Sequence, residues 1–460
     1  MTLRAVLALT LLAVPAAAQP KQSSPAPEAT DALAGFEKEL DALFASAGGL
    51  TAEQAAARAV KASPSVRARA AQIDVSIAQA EQAELARVPY VGITARATKL
   101  SPIDPVNLGG FTIDSIDHSY VGQATVQLVL SDYLVRYPKL ISAARLGVQA
   151  ARVSKRSEEL DTAEAARVAY YEWVRGKLQN LVAKRQLTQI RATLGQVRAL
   201  AEAQRVSRAD LMRVESQEAQ IEQAADQLQQ LADLREEQLR ILIGAGNEPL
   251  AVGEDVRVDY NAPAAGQLDQ LVSTATKQRL DFQAYDLGIE AKDKQRVAER
   301  AGLYPKLSAF ATADYANPNQ RVFPQQDKFD LTWAAGLQLS WTLNEALITN
   351  AQDKRSGAEL RELRANRENL ERGTRIQVLA AQQAVAIAQR ALATSKKGLD
   401  AAEESYRVRQ ALLAAQRATA VELVDAETEL TRARITALNA RIDLRIAVAE
   451  LQHAIGADAK

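Results

Sequence analysis

The sequence predicts a mainly α-helical fold with a small β part, built from a duplicated unit of long coiled-coil helices and two β-hairpins. Three observations carry this prediction. Landmarks repeat at a nearly constant offset along the 460 residues, so that Asp210-Leu211 lies over Glu422-Leu423. The return helices place apolar residues at a mean spacing of about 3.5, the period of coiled-coil packing. Between the helices stand segments in which apolar and polar residues alternate, as in strands with one apolar face.

Composition excludes several classes of protein. The 56 basic and 56 acidic side chains balance, so the chain lacks the basic excess that is typical of a nucleic-acid binder. It has no cysteine and only two histidines, which excludes disulfides and thiolate metal sites. No phosphate-binding glycine loop, nucleophile motif or metal-spaced cluster is present. We therefore predict that the chain is not an enzyme and uses neither a metal nor a cofactor.

The N-terminal residues have the pattern of a secretory signal. Arg4 precedes an apolar stretch, and Ala16 and Ala18 form a small-residue cleavage pattern. We expect residues 1–19 to be a signal peptide and residues 20–49 to be an N-terminal linker segment. No later segment reaches the ~20 uncharged apolar residues that a membrane-spanning helix requires. Any part of the mature chain that crosses a membrane is therefore expected to consist of β-strands.

A first structural repeat is expected over residues 50–244. Its first helix begins at a capping box formed by Thr51 and Gln54, in which each side chain binds the other residue's backbone N–H. We expect this helix to run without a break to about Arg87.

The remainder of the first repeat comprises a β-hairpin and two helices. The hairpin is expected over residues 88–130, and a long helix follows from about Tyr133 to about Gln204. A return helix is then expected from about Ala209 to Ile243. At 1.5 Å per residue, a helix of ~70 residues is about 105 Å long, which exceeds the diameter of an ordinary globular domain.

The same order of elements is expected again in the second half. A connector over residues 245–266 leads to a second repeat over residues 267–456, with its β-hairpin at residues 304–343. A C-terminal tail, residues 457–460, ends the chain. The last strand alternates apolar and polar residues over about ten positions, the length of a tilted transmembrane strand.

Trp333 and Trp341 lie near the two ends of this last strand, where the aromatic residues of a membrane interface are found. A single strand of this kind would also fit an antiparallel sheet half-buried on a soluble core. The strands, however, occur as two matched hairpins, and the flanking helices offer no separate apolar layer to cover them. Both features favour strands that lie in a membrane. Four strands cannot close a barrel, since small barrels begin at about eight strands, and an open edge in lipid is unfavourable. Several chains are therefore expected to contribute to one transmembrane β-barrel.

The sequence is similar to the outer-membrane efflux protein (TolC) family over nearly its whole length. The similarity is carried by the first-helix motif, its counterpart in the second half, and the two helix-hairpin tips: Leu50-Thr51-x-x-Gln54-Ala55, Arg279-Leu280-Asp281, Val206-x-x-x-Asp210-Leu211 and Ala420-x-Glu422-Leu423-x-Asp425-Ala426. This resemblance implies a homotrimer with one twelve-stranded barrel and an α-helical periplasmic tunnel. It also implies contact with outer-membrane lipid, a periplasmic adaptor (membrane fusion) protein and an inner-membrane pump.

The function that the resemblance implies is a passive exit duct of a tripartite efflux or type I secretion system. Such a duct exports substrates from the periplasm to the exterior, and it lies in the cell outer membrane of a Gram-negative bacterium. Drug, metal-ion and protein ducts share this architecture. The alternative is a soluble periplasmic coiled-coil adaptor or scaffold protein, but an adaptor would normally carry one helical hairpin and compact β domains, which the sequence does not indicate.

Three acidic residues near the tips are the candidate channel gate. The resemblance places Glu422 and Asp425 in an acidic ring at the periplasmic entrance, with Asp210 at the equivalent place in the first repeat. Asp210 and Glu422 also have the spacing from Ser207 and Thr419 that caps a new helix. Asp425 lies beyond the cap, so its alternative role is an ordinary solvated helix face. Three copies would bring six carboxylates of the second repeat together, and such rings attract cations.

The two helix tips are the candidate contact with the adaptor. The residues assigned to this contact are Gln204, Ser207, Gln416 and Thr419. Gln204 and Gln416 stand where the family has a tip glycine, so the detailed contact differs from the family pattern. Leu413 and Ala418 occupy the positions of the family's gate tyrosine and arginine, so that latch is not expected here.

Overall fold

The structure is a computed structural model that describes residues 38–44, 48–101, 104, 106–109, 111–113, 116–258, 260, 266–415 and 417–459. The predicted signal peptide and most of the predicted linker lie outside these residues, as does part of the predicted connector. A four-stranded antiparallel sheet stands at one end of two very long helices, and two helix-hairpin tips stand at the other end. The predicted fold of duplicated long helices with two hairpins is confirmed.

The first repeat begins with two helices, α1 (Ala52–Ala62) and α2 (Pro64–Leu85). The prediction of one unbroken helix to about Arg87 is therefore wrong. Proline inside a helix would lose a backbone hydrogen bond, whereas at the first position its missing N–H has no cost. Ser63 supplies the cap of the new helix, since its Oγ accepts a hydrogen bond from Val66 N at 3.4 Å.

The predicted capping box at the start of α1 is present. Gln54 N donates to Thr51 Oγ1 at 3.2 Å, and Thr51 N donates to Gln54 Oε1 at the same distance. Just before it, Leu50 N donates to Ala251 O at 2.8 Å, and Gly253 N donates to Leu50 O at 2.9 Å. These two bonds tie the start of the first repeat to the connector between the repeats.

One sheet contains the hairpins of both repeats. Its strands are paired in the order β1, β4, β5, β6, and every neighbouring pair is antiparallel. The pairing of Ala124 with Ala313 lies in the ladder that joins the two hairpins. A small additional hairpin, β2 with β3, lies in the loop after β1 and was not predicted. The strands are β1 (Tyr90–Lys99), β2 (Val106–Leu108), β3 (Phe111–Ile113), β4 (His118–Val129), β5 (Lys306–Asn317) and β6 (Asp330–Ser340).

Two helical hairpins extend away from the sheet. Their long helices have 67 and 72 residues, which corresponds to about 100 and 108 Å at 1.5 Å per residue. In the second repeat, as in the first, the shorter leading helix is divided in two, here at Arg279. The remaining helices are α3 (Arg136–Glu202), α4 (Arg208–Ile243), α5 (Leu268–Gln278), α6 (Leu280–Arg300), α7 (Leu343–Ala414) and α8 (Ala420–Ala454).

The helices pack closely, as the coiled-coil spacing of their apolar residues predicts. A Cβ added to Gly176 of α3 would lie 3.2 Å from Ala232 Cα of α4, so these two helix axes approach closely. Most of the apolar residues that follow the coiled-coil spacing in α8 are buried: Leu423, Leu430, Ala437, Ala440, Leu444, Ala447, Leu451 and Ala454. Midway along α3, Trp173 and Tyr170 lie in the largest core, together with residues of α1, the connector and α8.

None of the helices in the part of the chain that the structure describes combines the length and the apolar character needed to cross a bilayer.

Candidate functional site

Each helix tip is closed by a hydroxyl cap, as the spacing predicts. Ser207 Oγ accepts a hydrogen bond from Asp210 N at 3.1 Å and also lies 2.7 Å from Asp210 Oδ2. In the second repeat, Thr419 Oγ1 accepts from Glu422 N at 3.3 Å. A negative charge in the first turn also interacts favourably with the positive end of the helix dipole. Asp210 and Glu422 therefore both stabilise the starts of their helices.

Gln204 occupies a left-handed conformation at the end of α3, with φ 55°. Arg205 N donates to Leu200 O at 2.8 Å and Gln204 N donates to Ala201 O at 2.9 Å, which together form a Schellman motif. This conformation normally selects glycine, the residue that the family has here. The second tip has the equivalent bond, from Arg417 N to Leu412 O at 2.8 Å. Gln416 itself lies outside the described residues.

Within one protomer, the candidate gate carboxylates lie beside arginines. Glu422 Oε2 is 2.9 Å from Arg409 Nη1, across the tip of the second hairpin. Asp425 Oδ1 is 3.9 Å from Arg213 Nη2, which belongs to α4 of the first hairpin. All four of these side chains retain at least two fifths of their surface exposed. The charges of Glu422 and Asp425 are therefore partly neutralised by arginines of α7 and α4.

The three candidate gate residues are placed at one end of the molecule, although the contacts join only some of them. The Arg213–Asp425 ion pair brings α4 and α8 together one turn beyond the caps. Near the same level, Gln217 Nε2 donates to Thr428 Oγ1 at 3.1 Å and links the same two helices. Asp210 contacts its own cap residue instead. The assignment of these residues to a gate stays a prediction.

At the opposite end, one face of the sheet exposes large apolar side chains. Along β6 the exposed members of the alternation are Leu331, Trp333, Leu337 and Leu339. The exposed fraction of Trp333 is 73%, and that of Leu339 is 70%, so the protomer itself buries neither. Trp341 follows directly after β6, is also exposed, and lies with Nε1 3.3 Å from Leu303 O. Trp341 follows Trp333 by eight positions, which corresponds to about 26 Å along a strand, comparable with the ~25 Å apolar band of outer-membrane barrels.

Three further aromatic residues extend this surface and were missed from the sequence. The ring centroid of Phe329 lies 5.0 Å from that of Tyr315 and 6.3 Å from that of Tyr120. All three side chains are exposed. Tyr315 pairs with Leu331 in the register of β5 and β6, two residues from Trp333, so the cluster lies at the same end of the sheet as Trp333. The signal was available, because Tyr120 and Tyr315 fall on the apolar alternation of β4 and β5.

Another missed residue lies behind the candidate gate. Glu427 of α8 is 3% exposed, and neither of its carboxylate oxygens has a hydrogen-bond partner among the described residues. Its burial raises the pKa of its carboxyl to about 8. Among the residues that the structure describes, no group of three or more His, Cys, Asp or Glu side chains is arranged to hold a metal ion.

Comparison with known proteins connects these features to a family. Residues 271–457, which lie in the second repeat, match the family model of the outer membrane efflux proteins. The resemblance that the sequence motifs carry is thereby confirmed for this part of the chain. No curated protein matches the sequence.

Solved structures share the fold over most of the chain. The CmeC outer membrane channel of Campylobacter jejuni has a TM-score of 0.74 at 12% identity, covering 89% of this chain and 88% of its own. The outer membrane protein VceC of Vibrio cholerae has a TM-score of 0.72 at 17% identity, covering 88% and 96%. The MtrE outer membrane channel of Neisseria gonorrhoeae, in its open state, has a TM-score of 0.72 at 18% identity, covering 88% of each chain. At these identities the likeness establishes the fold.

Proposed function

We propose that this chain is one protomer of an outer-membrane efflux channel, a passive exit duct and not an enzyme. The observation that carries the proposal is the row of large apolar side chains exposed on one face of β6. A soluble sheet would bury such a face, since burial of apolar surface is worth about 25 cal/mol per Å². Lipid covers it equally well. The family match of residues 271–457 supports the same location, the cell outer membrane of a Gram-negative bacterium.

The proposed channel is a homotrimer. Among the residues that the structure describes, β1 and β6 each have one edge without a neighbouring strand, because the sheet order is β1, β4, β5, β6. These two edge strands run in opposite directions, so β6 of one copy and β1 of the next would pair antiparallel. Three copies would then close a uniform twelve-stranded barrel, which satisfies the requirement that lipid-exposed backbone groups be hydrogen-bonded. One copy contributes too few strands to enclose a lumen.

The long helices are proposed to form the periplasmic tunnel beneath this barrel. At about 100 Å, α3 and α7 place the two tips far from the sheet. We propose that the tips dock with a periplasmic adaptor protein, which connects the duct to an inner-membrane pump of a tripartite system. The tip contact would use Gln204, Ser207, Gln416 and Thr419. Because the duct itself supplies no energy, substrates would pass through it from periplasm to exterior.

The entrance of the tunnel is proposed to carry the acidic ring. In the assembled trimer, Glu422 and Asp425 of three chains would surround one aperture, with Asp210 nearby. The contacts within one protomer add a refinement, because Arg409 and Arg213 partly neutralise this ring. A rearrangement that separates α8 from α4 would move the Arg213 guanidinium away from Asp425 and leave that carboxylate less neutralised at the aperture.

Membrane fractionation and mass measurement test the proposal together. The protein should remain with outer membranes after washing with salt and carbonate. In mild detergent, light scattering should give a protein mass of about 150 kDa, three times the 49.8 kDa of one chain. Recovery as a folded monomer in the soluble periplasmic fraction would instead indicate the adaptor or scaffold alternative.

A further inference from the structure

Glu427 occupies a core position of α8. It lies four residues after Leu423 and three residues before Leu430, so all three side chains fall on one face of the helix. Both leucines are buried, and Glu427 is the most buried of the three at 3% exposure. The neighbouring Val424 packs in the apolar cluster of Ile190, Leu194, Val197 and Val214 near the tips. A carboxyl group is therefore buried beside an apolar cluster that α3, α4 and α8 form near the tips.

Tyr406, which lies near Glu427, Thr428, which follows Glu427 in the sequence, and the groups that act on these two residues come from four helices. On α7, Tyr406 is close enough for the Glu427 charge to act on it, and burial together with that charge raises the pKa of Tyr406 to about 12. On α3, Gln189 Nε2 donates to the Tyr406 hydroxyl, and Arg185 acts on the same tyrosine. On α8 itself, Arg434 acts on Tyr406 and lies 3.9 Å from Glu403 of α7.

The fourth helix, α4, approaches through Gln217, which donates to Thr428 beside Glu427. None of these groups donates a hydrogen bond to either oxygen of Glu427. An ionised carboxylate without a donor is much more costly to bury than a neutral carboxyl group. The observed packing of α8 therefore suits the neutral form of Glu427.

The first repeat provides an internal comparison. Glu215 stands at the position equivalent to Glu427, 212 residues earlier in the sequence. Glu215 Oε1 lies 2.9 Å from Arg198 Nη2, and both side chains are partly exposed. The residue equivalent to Arg198 in the second repeat is Gln410. The same carboxylate position is thus paired with an arginine in one hairpin, whereas in the other it is buried without one.

We propose that Glu427 is a proton-dependent latch of the α7–α8 hairpin. When protonated, it allows α8 to pack against α7 and α3 near the tip. When ionised, it favours a looser hairpin in which water reaches its carboxylate. The latch is a property of the packing of these helices. Only its consequence, easier opening of the entrance as the pH rises, depends on the proposed channel function.

Hydrogen exchange on the full chain in detergent tests the latch without requiring channel activity. Protection of the tip-proximal part of α8 would be measured at about pH 6 and about pH 9, on either side of the raised pKa, after correction for intrinsic exchange rates. In the wild type, protection should fall by about tenfold or more, because each pH unit between the ordinary carboxyl pKa and the raised folded pKa favours the open, ionised state about tenfold.

The variant Glu427→Gln keeps the shape of the side chain but cannot ionise, so its protection should not depend on pH. The matched control Glu215→Gln alters the equivalent carboxylate of the first repeat and should keep the wild-type fall. A parallel loss of protection in wild type and Glu427→Gln would overturn the proposal.

A second variant keeps the test decisive if Glu427→Gln folds poorly. Gln410→Arg restores to the second repeat the arginine that the first repeat has, so it should hold α8 protected at the higher pH. If Gln410→Arg loses protection to the same extent as wild type, the latch is contradicted. An absence of channel conductance, by contrast, would count against the proposed function and leave the exchange result intact.

Discussion

The guanidinium of Arg445 lies with Nη1 2.8 Å from the carbonyl oxygen of Val256, so the return helix of the second repeat holds the connector between the repeats. Its Nη2 also donates to Val258 O at 3.0 Å. The Arg445 side chain is only 5% exposed, and Glu254 of the same connector lies 3.4 Å from its Nε. One buried cation therefore fixes the connector against α8.

We predict that Arg445→Met lowers the free energy of unfolding by roughly 2–4 kcal/mol, because hydrogen bonds to a charged donor are lost and the connector carbonyls stay buried. Thermal unfolding and limited proteolysis of the connector measure the effect. The control Arg432→Met changes an exposed arginine of the same helix and should leave both unchanged. Equal behaviour of the two variants would show that the connector is held by other contacts.

Gln204, the left-handed residue at the first tip, is a position where a substitution should raise the stability, in contrast to Arg445→Met. Gln204→Gly should raise the stability by about 1 kcal/mol, because glycine adopts a positive φ without steric cost. Gly244, at the end of α4, has φ 66°, and a Cβ there would lie 2.9 Å from Ala62 Cβ. Gly244→Gln should therefore destabilise by a similar amount or more. Chemical denaturation of the two variants measures both changes in the free energy of unfolding. A stabilising Gly244→Gln would contradict the cap geometry.

The contacts of His453 with two carboxylates predict that the protein loses stability at alkaline pH. Its ring lies 3.2 Å from Asp161 Oδ1 and 2.8 Å from Asp458 Oδ2, and these hydrogen bonds raise the pKa of His453 to about 9. Since the folded pKa exceeds the ordinary imidazole pKa of 6.5, the stabilising contribution is complete below that pH and is lost as the pH rises through about 9.

The expected loss is about 2 kcal/mol, allowing for the partial exposure of the ring. Denaturant unfolding of wild type and His453→Gln across this pH range measures it. The difference in the free energy of unfolding between wild type and His453→Gln should decrease as the pH rises. A difference that stays constant would mean that the histidine contributes through packing alone.

If Glu422 and Asp425 lie at the entrance, as proposed, multivalent cations added on the periplasmic side should block the single-channel current measured in a planar bilayer. Asp425→Ala should weaken block more cleanly than Glu422→Ala, because the latter also removes a negative charge from the first turn of α8. Arg213→Ala should strengthen block, since it removes the cation that lies 3.9 Å from Asp425. Block should weaken as salt rises, because the Debye length is about 8 Å at physiological ionic strength. If cations block the current through the variant with both Glu422→Ala and Asp425→Ala as strongly as through the wild type, these residues form an ordinary solvated face.

The long helices, their duplication and the hairpins were predictable because each has its own period in the sequence. The caps at Thr51, Ser207 and Thr419 were predictable too, since capping depends on residues three positions apart. The break at Ser63 carried an equally local signal, a serine followed by proline, and was overlooked. In each case the physical cause lies within one turn of the helix.

The environment of the candidate gate could not be predicted from such local signals in the sequence. The pairing of Asp425 with Arg213 depends on how α4 and α8 meet, although the two residues stand more than two hundred positions apart. Glu427 matches Glu215 in the repeat, but Glu427 is buried, whereas Glu215 is partly exposed beside Arg198. Partners of this kind are set by packing between helices, which a periodic pattern does not specify.

Planar-bilayer recording on the purified wild-type protein tests the central claim most directly. A trimeric duct should insert and produce discrete, reproducible current steps of one unit size. The claim that this chain forms an outer-membrane channel would be contradicted if a folded preparation, verified by its helical circular dichroism spectrum, gave no current steps above those of detergent alone.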